Sequence, residues 1–217
     1  RFFDDFVLEC YGGGVRQFVL LGAGMDTRAF RMDGLPEARF FEVDKPSLFE
    51  VKEPLLKDAD AALRTASRRT VGLDLAVAAP GALAAALREV GLEPRLPSAW
   101  VLEGLVMYLE AADVRRLMGQ IAAIAAPGSA VIHDAVSGSN DANPFGDRGA
   151  PFLSGHDDYG GLWAEHGFDE ARVFDVDQDL FVDRASRAVW RDERRPPLSP
   201  EAMRGRKLNL FVVARKT

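Results

Sequence analysis

Four short apolar runs in this chain each stop at a glycine or an acidic residue, and that repetition restricts the fold more than any other feature. Residues 18–21 (Phe-Val-Leu-Leu) stop at Gly22, and residues 39–43 stop at Asp44. Residues 70–73 stop at Asp74, and residues 98–102 stop at Glu103. Such runs read as strands buried on both faces, the pattern of a parallel sheet. Helical stretches separate them. Residues 79–90 form one, with Pro80 suited to a first turn. Residues 111–126 form a longer amphipathic one, closed by Pro127-Gly128. The pattern predicts a fifth strand over 129–133, a polar loop over 137–155 and a short helix over 157–166. It also predicts a strand near 171–176 and a closing strand over 207–214. An opening helix spans residues 2–11, with apolar Phe2, Phe3, Phe6, Val7 and Cys10 at helical spacing. Gly12-Gly13-Gly14 ends it.

Strands alternating with helices imply an α/β fold, a mostly parallel sheet with helices on both faces. Ligands of such sheets bind at the carboxyl ends of the strands, near the point where strand order reverses. Gly22, Asp44, Asp74 and Glu103 all fall there. The 217 residues suffice for one domain over 1–217. Lys plus Arg number 27 against 33 Asp plus Glu, a net charge of −6, so no basic field invites nucleic acid. A single cysteine, Cys10, excludes an internal disulfide and suits a reducing, cytoplasmic setting. No run reaches the roughly 18 apolar residues of a membrane span, and no signal-peptide pattern occurs. The chain opens at Arg1 without Met, so its first residues are expected to be missing or unseen.

The first loop, Gly22-Ala23-Gly24-Met25-Asp26-Thr27-Arg28, lets a ligand approach the backbone closely. Asp44 follows Gly22 by 22 residues, near the ~20 expected of a carboxylate that grips ribose hydroxyls. A dinucleotide site wants a third glycine where Thr27 stands, and Asp26 places negative charge where pyrophosphate would lie. A sulfonium cofactor, cationic and without phosphate, fits the acidic row Asp26, Asp44, Asp74 and Glu103 better. Taken singly, each carboxylate is as simply a helix cap or a solvated residue.

These residues resemble the leucine carboxyl methyltransferase family, which includes bacterial O-methyltransferases of polyketide and other small acceptors. The likeness runs through residues 19–31 (VLLGAGMDTRAFR), 41–46 (FEVDKP), 72–75 (GLDL) and 102–109 (LEGLVMYL), and covers roughly residues 1–109. It implies a Rossmann-like class I methyltransferase, with a seven-stranded sheet whose last strand is antiparallel. It implies S-adenosyl-L-methionine as cofactor and an enzyme that moves methyl to a carboxylate or hydroxyl oxygen. Carried over position by position, Arg1 would pair with the cofactor carboxylate and Gly22 and Gly24 would lie under its amino-acid part. Asp44 would bind ribose, Asp74 and Leu75 would flank adenine, and Glu103 would take the amino group. Tyr108 would lie near the transfer site. Relatives carry a helical cover ahead of the Arg1 region, so a cover segment is expected to be missing or unseen here. Abundant Ala and Arg point to a bacterial source and a small-molecule acceptor. A protein C-terminus is the alternative acceptor. An NAD-dependent oxidoreductase and a non-catalytic cofactor-binding module are the alternatives from other classes. The oligomeric state stays open.

Other residues have blander readings. His133 reads either as a general base or as a buried, hydrogen-bonded histidine. Arg28 reads as an ion-pair partner of Asp26 or Asp44, or as an anchor for an acceptor carboxylate, with the ion pair favoured. His156 with Asp157 and Asp158 lacks metal-ligand spacing, so no metal is expected. His166 suits a helix C-terminus. Trp100 and Trp163 read as packing, and Cys10 as a buried thiol. Arg184, Arg187, Arg191, Arg194 and Arg195, flanked by acids, read as a solvated face.

Overall fold

A computed structural model describes residues 1–138, 151–176 and 198–217. The basic run from Arg184 to Arg195, the Pro196-Pro197 pair and most of the polar loop predicted over 137–155 lie outside the described residues. Seven strands form one sheet: β1 (Gln17–Leu21), β2 (Arg39–Asp44), β3 (Ser67–Gly72), β4 (Ser98–Leu102), β5 (Ala130–Val136), β6 (Glu170–Asp175) and β7 (Asn209–Arg215). Their order is β3-β2-β1-β4-β5-β7-β6. The chain builds outward from β1 to β2 and β3, then returns to lay β4 on the other side of β1, with both of β1's neighbours parallel to it. β7 runs antiparallel to both β5 and β6, as the family resemblance implies.

The helices are α1 (Phe2–Gly12), α2 (Arg28–Arg31), α3 (Pro46–Asp58), α4 (Ala82–Glu89), α5 (Ala111–Ile124), α6 (Tyr159–Ala164) and α7 (Pro200–Met203). Two apolar layers sandwich the sheet. One holds Val19 and Leu21 of β1 with residues of α4, α5 and α6. The other holds Phe18 and Leu20 with Phe2, Phe3, Phe6, Val7 and Cys10 of α1. The five α1 residues are those read as its apolar face. Because β1 is buried on both sides, its alternation is between two cores and no polar face shows.

Several boundaries differ from expectation, for identifiable reasons. β3 begins at Ser67, because Ser67, Arg68 and Arg69 pair with β2 residues 39–41 although their side chains are polar. It forms a sheet edge, where Arg69 meets water and Arg68 turns onto the buried Glu42 of β2. α4 starts at Ala82, so Pro80 precedes the helix. β5 runs on to Val136, which puts His133 within the strand and not after it. α3 was invisible to periodicity. It carries an internal Pro54, and its only buried residues are Phe49 and Lys52.

Lys52 is buried because it answers a charge in the sheet. Glu42 of β2 is fully buried; one carboxylate oxygen accepts from Lys52 Nζ at 2.6 Å and Arg68 Nη2 at 2.7 Å, the other from Arg68 Nε at 2.8 Å. Removing Glu42 leaves Lys52 without its carboxylate in a low-dielectric setting, while Arg68 keeps Glu53 at 2.8 Å. Glu42→Ala is expected to lower stability by about 3–5 kcal/mol in urea unfolding. Replacing Glu42, Lys52 and Arg68 together by Met is expected to cost much less than that single change.

Candidate functional site

The crevice opens at the carboxyl end of β1, where strand order reverses. Gly22 and Gly24 have φ of +65° and +48°, a left-handed backbone that favours glycine. A Cβ at Gly22 would also meet Leu105 Cδ1 at 3.1 Å. Gly22 N–H donates to the Val43 carbonyl at 2.9 Å, which turns the loop towards β2. There Gly24 N–H donates to Asp44 Oδ2 at 2.8 Å, while Asp44 Oδ1 accepts from Lys45 N–H at 2.7 Å. The glycine loop and the acid 22 residues later are thus one hydrogen-bonded unit.

The loop borders a cavity of about 360 Å³, also lined by Asp26, Arg28, Arg31 and Glu103, a size common for small-ligand sites. Arg28 organises it. Its guanidinium is buried and donates from Nε to Asp4 at 2.8 Å, from Nη1 to Asp26 and from Nη2 to Glu103 at 2.6 Å. Arg31 adds a second contact to Asp4 at 2.6 Å. Burial opposes the charge on Arg28, but Asp26, Glu103 and Asp4 together raise its pKa above the ordinary value. Burial likewise opposes ionisation of Asp4, yet Arg31 and Arg28 hold its carboxyl below the usual range. The ion-pair reading of Arg28 therefore holds for Asp26, and the structure adds Asp4 and Glu103 in place of Asp44. Asp26 Oδ1 also accepts from Arg28 N–H at 2.6 Å, so a carboxylate already sits at the start of α2, where a pyrophosphate would need to bind.

The other expected site residues spread along the strand ends. Asp74 follows β3; it accepts from Ala76 N–H at 3.1 Å and pairs with Lys45 Nζ at 3.3 Å. Leu75 beside it is buried in the core. Neither lines the cavity, which lies at β1 and β4. Arg1 is mostly exposed and pairs with Asp5 at 3.6 Å; it is not among the lining residues. α1 reaches the site instead through Asp4, which the sequence reading overlooked because its partner lies 24 residues away. Tyr108 ends the 3₁₀ turn Val106–Tyr108 and packs edge-on against Phe152, ring centroids 5.7 Å apart.

His133 is corrected from candidate base to core residue. It is fully buried. Trp163 Nε1–H, which can only donate, binds His133 Nε2 at 3.0 Å. Nδ1 therefore carries the proton and donates to the Asp134 carbonyl at 3.1 Å. Burial, partly opposed by that bond, pushes its pKa down to about 4. The packing readings stand for Trp163 and for Trp100, whose Nε1–H donates to Ser98 Oγ at 2.9 Å. His156 Nδ1 accepts from Asp158 N–H at 2.9 Å, and among the described residues no group of His, Cys, Asp and Glu could hold a metal ion. Cys10 is buried, and its thiol is pushed up to about 12 by that burial; it is unreactive.

Asp134, the residue after His133, was not singled out, although it is a fifth acid near a strand's carboxyl end. Its Oδ1 accepts from Gly104 N–H at 2.8 Å, bracing the turn that follows β4. Burial raises its carboxyl to about 6, with the Gly104 bond opposing and the Glu103 charge adding.

His133 and Asp134 have opposite effects on acid stability. The unfolded histidine binds a proton near 6.5 and the folded one near 4, so stability is lost as pH falls between them. The folded aspartate binds its proton near 6 and the unfolded one near 3.8, so stability is gained as pH falls between them. Each contribution is on the order of 3 kcal/mol, and together they nearly cancel. Relative to the parent, Asp134→Asn is expected to lose stability steadily from pH 6.5 to 4, measured by urea unfolding across that range. His133→Gln is expected to show the mirror-image gain.

The sequence profile of leucine carboxyl methyltransferase matches residues 1–122. A Mycolicibacterium smegmatis protein named as a candidate S-adenosyl-L-methionine-dependent methyltransferase is 39% identical over 169 residues, covering 78% of this chain and 52% of its own length. A Mycobacterium avium protein with the same description is 33% identical, covering 89% of this chain and 60% of its own length. The chain therefore spans about half the length of the curated relatives it matches. Among solved structures, a DUF574 family protein from Streptomyces avermitilis superposes with a TM-score of 0.60 at 18% identity, covering 99% of this chain and 81% of its own. The N-terminal domain of EvdMO1, solved with S-adenosylhomocysteine bound, gives 0.59 at 12% identity, covering 99% and 79%. The seven-stranded architecture is thus the Rossmann-like class I methyltransferase fold.

Proposed function

The chain belongs to the leucine carboxyl methyltransferase family, and on that premise we propose that it is an S-adenosyl-L-methionine-dependent O-methyltransferase acting on a small-molecule acceptor. The observation that carries this reading is the glycine loop hydrogen-bonded to Asp44, beside a helix start already filled by the Asp26 carboxylate. That arrangement offers a ribose acceptor and close backbone approach while refusing a pyrophosphate. It suits a nucleoside that is cationic and free of phosphate. The curated relatives, described as S-adenosyl-L-methionine-dependent, support the same assignment.

The residues then divide the cofactor among them. Asp44 accepts from the ribose hydroxyls. Asp74 accepts from the adenine amine, and Leu75 supplies the apolar contact beside the ring. Gly22 and Gly24 make room for the amino-acid part. Glu103 has one oxygen on Arg28 and a second to offer the cofactor ammonium. Arg1 would take the cofactor carboxylate by exchanging its long, exposed contact with Asp5. Tyr108 stands with Phe152 at the acceptor side. The cofactor supplies an electrophilic methyl group, and the protein's part is to align the acceptor oxygen with it and keep water away. Among the described residues no helix is long and apolar enough to cross a membrane, and the unreactive Cys10 fits a reducing cytoplasm.

S-adenosylhomocysteine is expected to raise the melting temperature and NAD to leave it unchanged; stabilisation by NAD alone would overturn the assignment. Asp44→Ala is expected to weaken S-adenosylhomocysteine binding by at least ~1 kcal/mol in calorimetry. Methyl transfer from labelled cofactor distinguishes an enzyme from a module that binds without turnover.

A further inference from the structure

Asp4 comes to the site from α1 and not from a strand end. It stands in the first turn of that helix and meets the cavity wall through two arginines. Its Oδ1 accepts from Arg28 Nε and from Arg31 Nη2, both at 2.8 Å, and its Oδ2 accepts from Arg31 Nη1 at 2.6 Å. Both terminal nitrogens of Arg31 are thus committed to one carboxylate, a forked pairing of fixed geometry. The helix itself is held elsewhere. Phe2 stacks on Phe211 of β7 with ring centroids 4.5 Å apart, and Phe3 meets the same ring edge-on at 5.2 Å. Asp4 is therefore not what keeps α1 on the sheet.

Arg28 and Arg31 both line the cavity, as do Asp26 and Glu103. Arg28 is already shared, Nη1 donating to Asp26 and Nη2 to Glu103 at 2.6 Å. Without the Asp4 carboxylate, two guanidiniums would stand against two carboxylates in the cavity wall. The acids that wall then offers Arg31 are Asp26 and Glu103. Glu103 is half-exposed with one oxygen on Arg28, so its other oxygen is open to a released Arg31. On the reading above, that oxygen meets the cofactor ammonium. With Asp4 ionised, three carboxylates face two guanidiniums, and one negative charge is left for a cation. Burial opposes that ionisation, but the two arginines outweigh it.

We propose that Asp4 is a positioning residue for the amino-acid end of the cofactor: it engages Arg31 and steadies Arg28, so that Glu103 keeps an oxygen and a net negative charge for the ammonium group. Asp4 touches no part of the cofactor and acts through the two arginines. Its influence is confined to one end of the ligand. On the same reading, adenine and ribose lie with Asp74 and Asp44 at the ends of β3 and β2, on the other side of β1 from Glu103.

This role rests on the S-adenosylmethionine reading, and two ligands tell the two apart. S-adenosylhomocysteine carries the amino-acid part; 5′-methylthioadenosine keeps the adenosine and the thioether and lacks that part. In calorimetry, Asp4→Asn is expected to weaken S-adenosylhomocysteine binding about tenfold, the size of a charge-assisted contact. The same variant is expected to leave 5′-methylthioadenosine within about twofold of the parent. Adding Arg31→Gln to Asp4→Asn leaves Asp26 and Glu103 against Arg28 alone, the same net charge as in the parent. That double variant is expected to recover most of the lost S-adenosylhomocysteine affinity. Arg31→Gln by itself is expected to bind S-adenosylhomocysteine at least as tightly as the parent, and it tests the role even if Asp4→Asn does not fold. Equal weakening of both ligands by Asp4→Asn would show a merely structural residue and overturn the role. Unchanged S-adenosylhomocysteine affinity in that variant, no recovery in the double variant, or weaker binding in Arg31→Gln would overturn it as well. Failure of the parent to bind either ligand would instead overturn the cofactor reading itself.

Discussion

The buried guanidinium of Arg28 ties together three parts of the chain that are distant in sequence. Asp4 belongs to α1, Asp26 to the loop after β1, and Glu103 to the turn after β4. A parallel sheet places those segments at one end but does not align them with one another. An arginine does, because its planar fork offers donors in fixed directions and stays charged when buried. The glycine loop, the first helix and the acid after β4 therefore keep one geometry, on which the cavity depends.

The same cluster sets the charge of the site. Three carboxylates, Asp4, Asp26 and Glu103, share two guanidiniums, Arg28 and Arg31. One negative charge remains, and Asp44 adds to it, while Lys45 offsets Asp74. A cation is favoured in such a place and an anion is repelled, the electrostatic preference expected of a sulfonium site. His133 and Asp134 show how two neighbouring residues on one strand meet opposite demands. The histidine faces the core and is held neutral by burial. The aspartate faces the strand-end side and has a hydrogen bond to hold it.

Most of the sheet was legible because its strands are apolar on both faces and stop at glycine or acid. Strand β4 was read residue for residue, and the buried face of α1 was complete. α3 escaped because its buried anchor is Lys52, a residue that looks like surface until Glu42 is found beneath it. β3 was cut short because an edge strand tolerates Arg68 and Arg69. Asp134 was passed over for its neighbour His133, since a histidine draws attention as a base and only the fold shows that the histidine is core and the aspartate braces the turn after β4.

The sequence by itself determined the fold class, the family and the row of glycine and acids at the strand ends. Those follow from local patterns: apolar runs, turn residues and spacings that survive without three-dimensional context. Tertiary structure alone decided how the charges pair. It joined Arg28 to Asp4 and Glu103, withdrew His133 into the core, left Arg1 on Asp5, and set Asp134 beside Gly104. The physical reason is that ionic and hydrogen-bonding partners are chosen by distance and burial, and residues 20 to 75 positions apart become neighbours only once strand order is fixed.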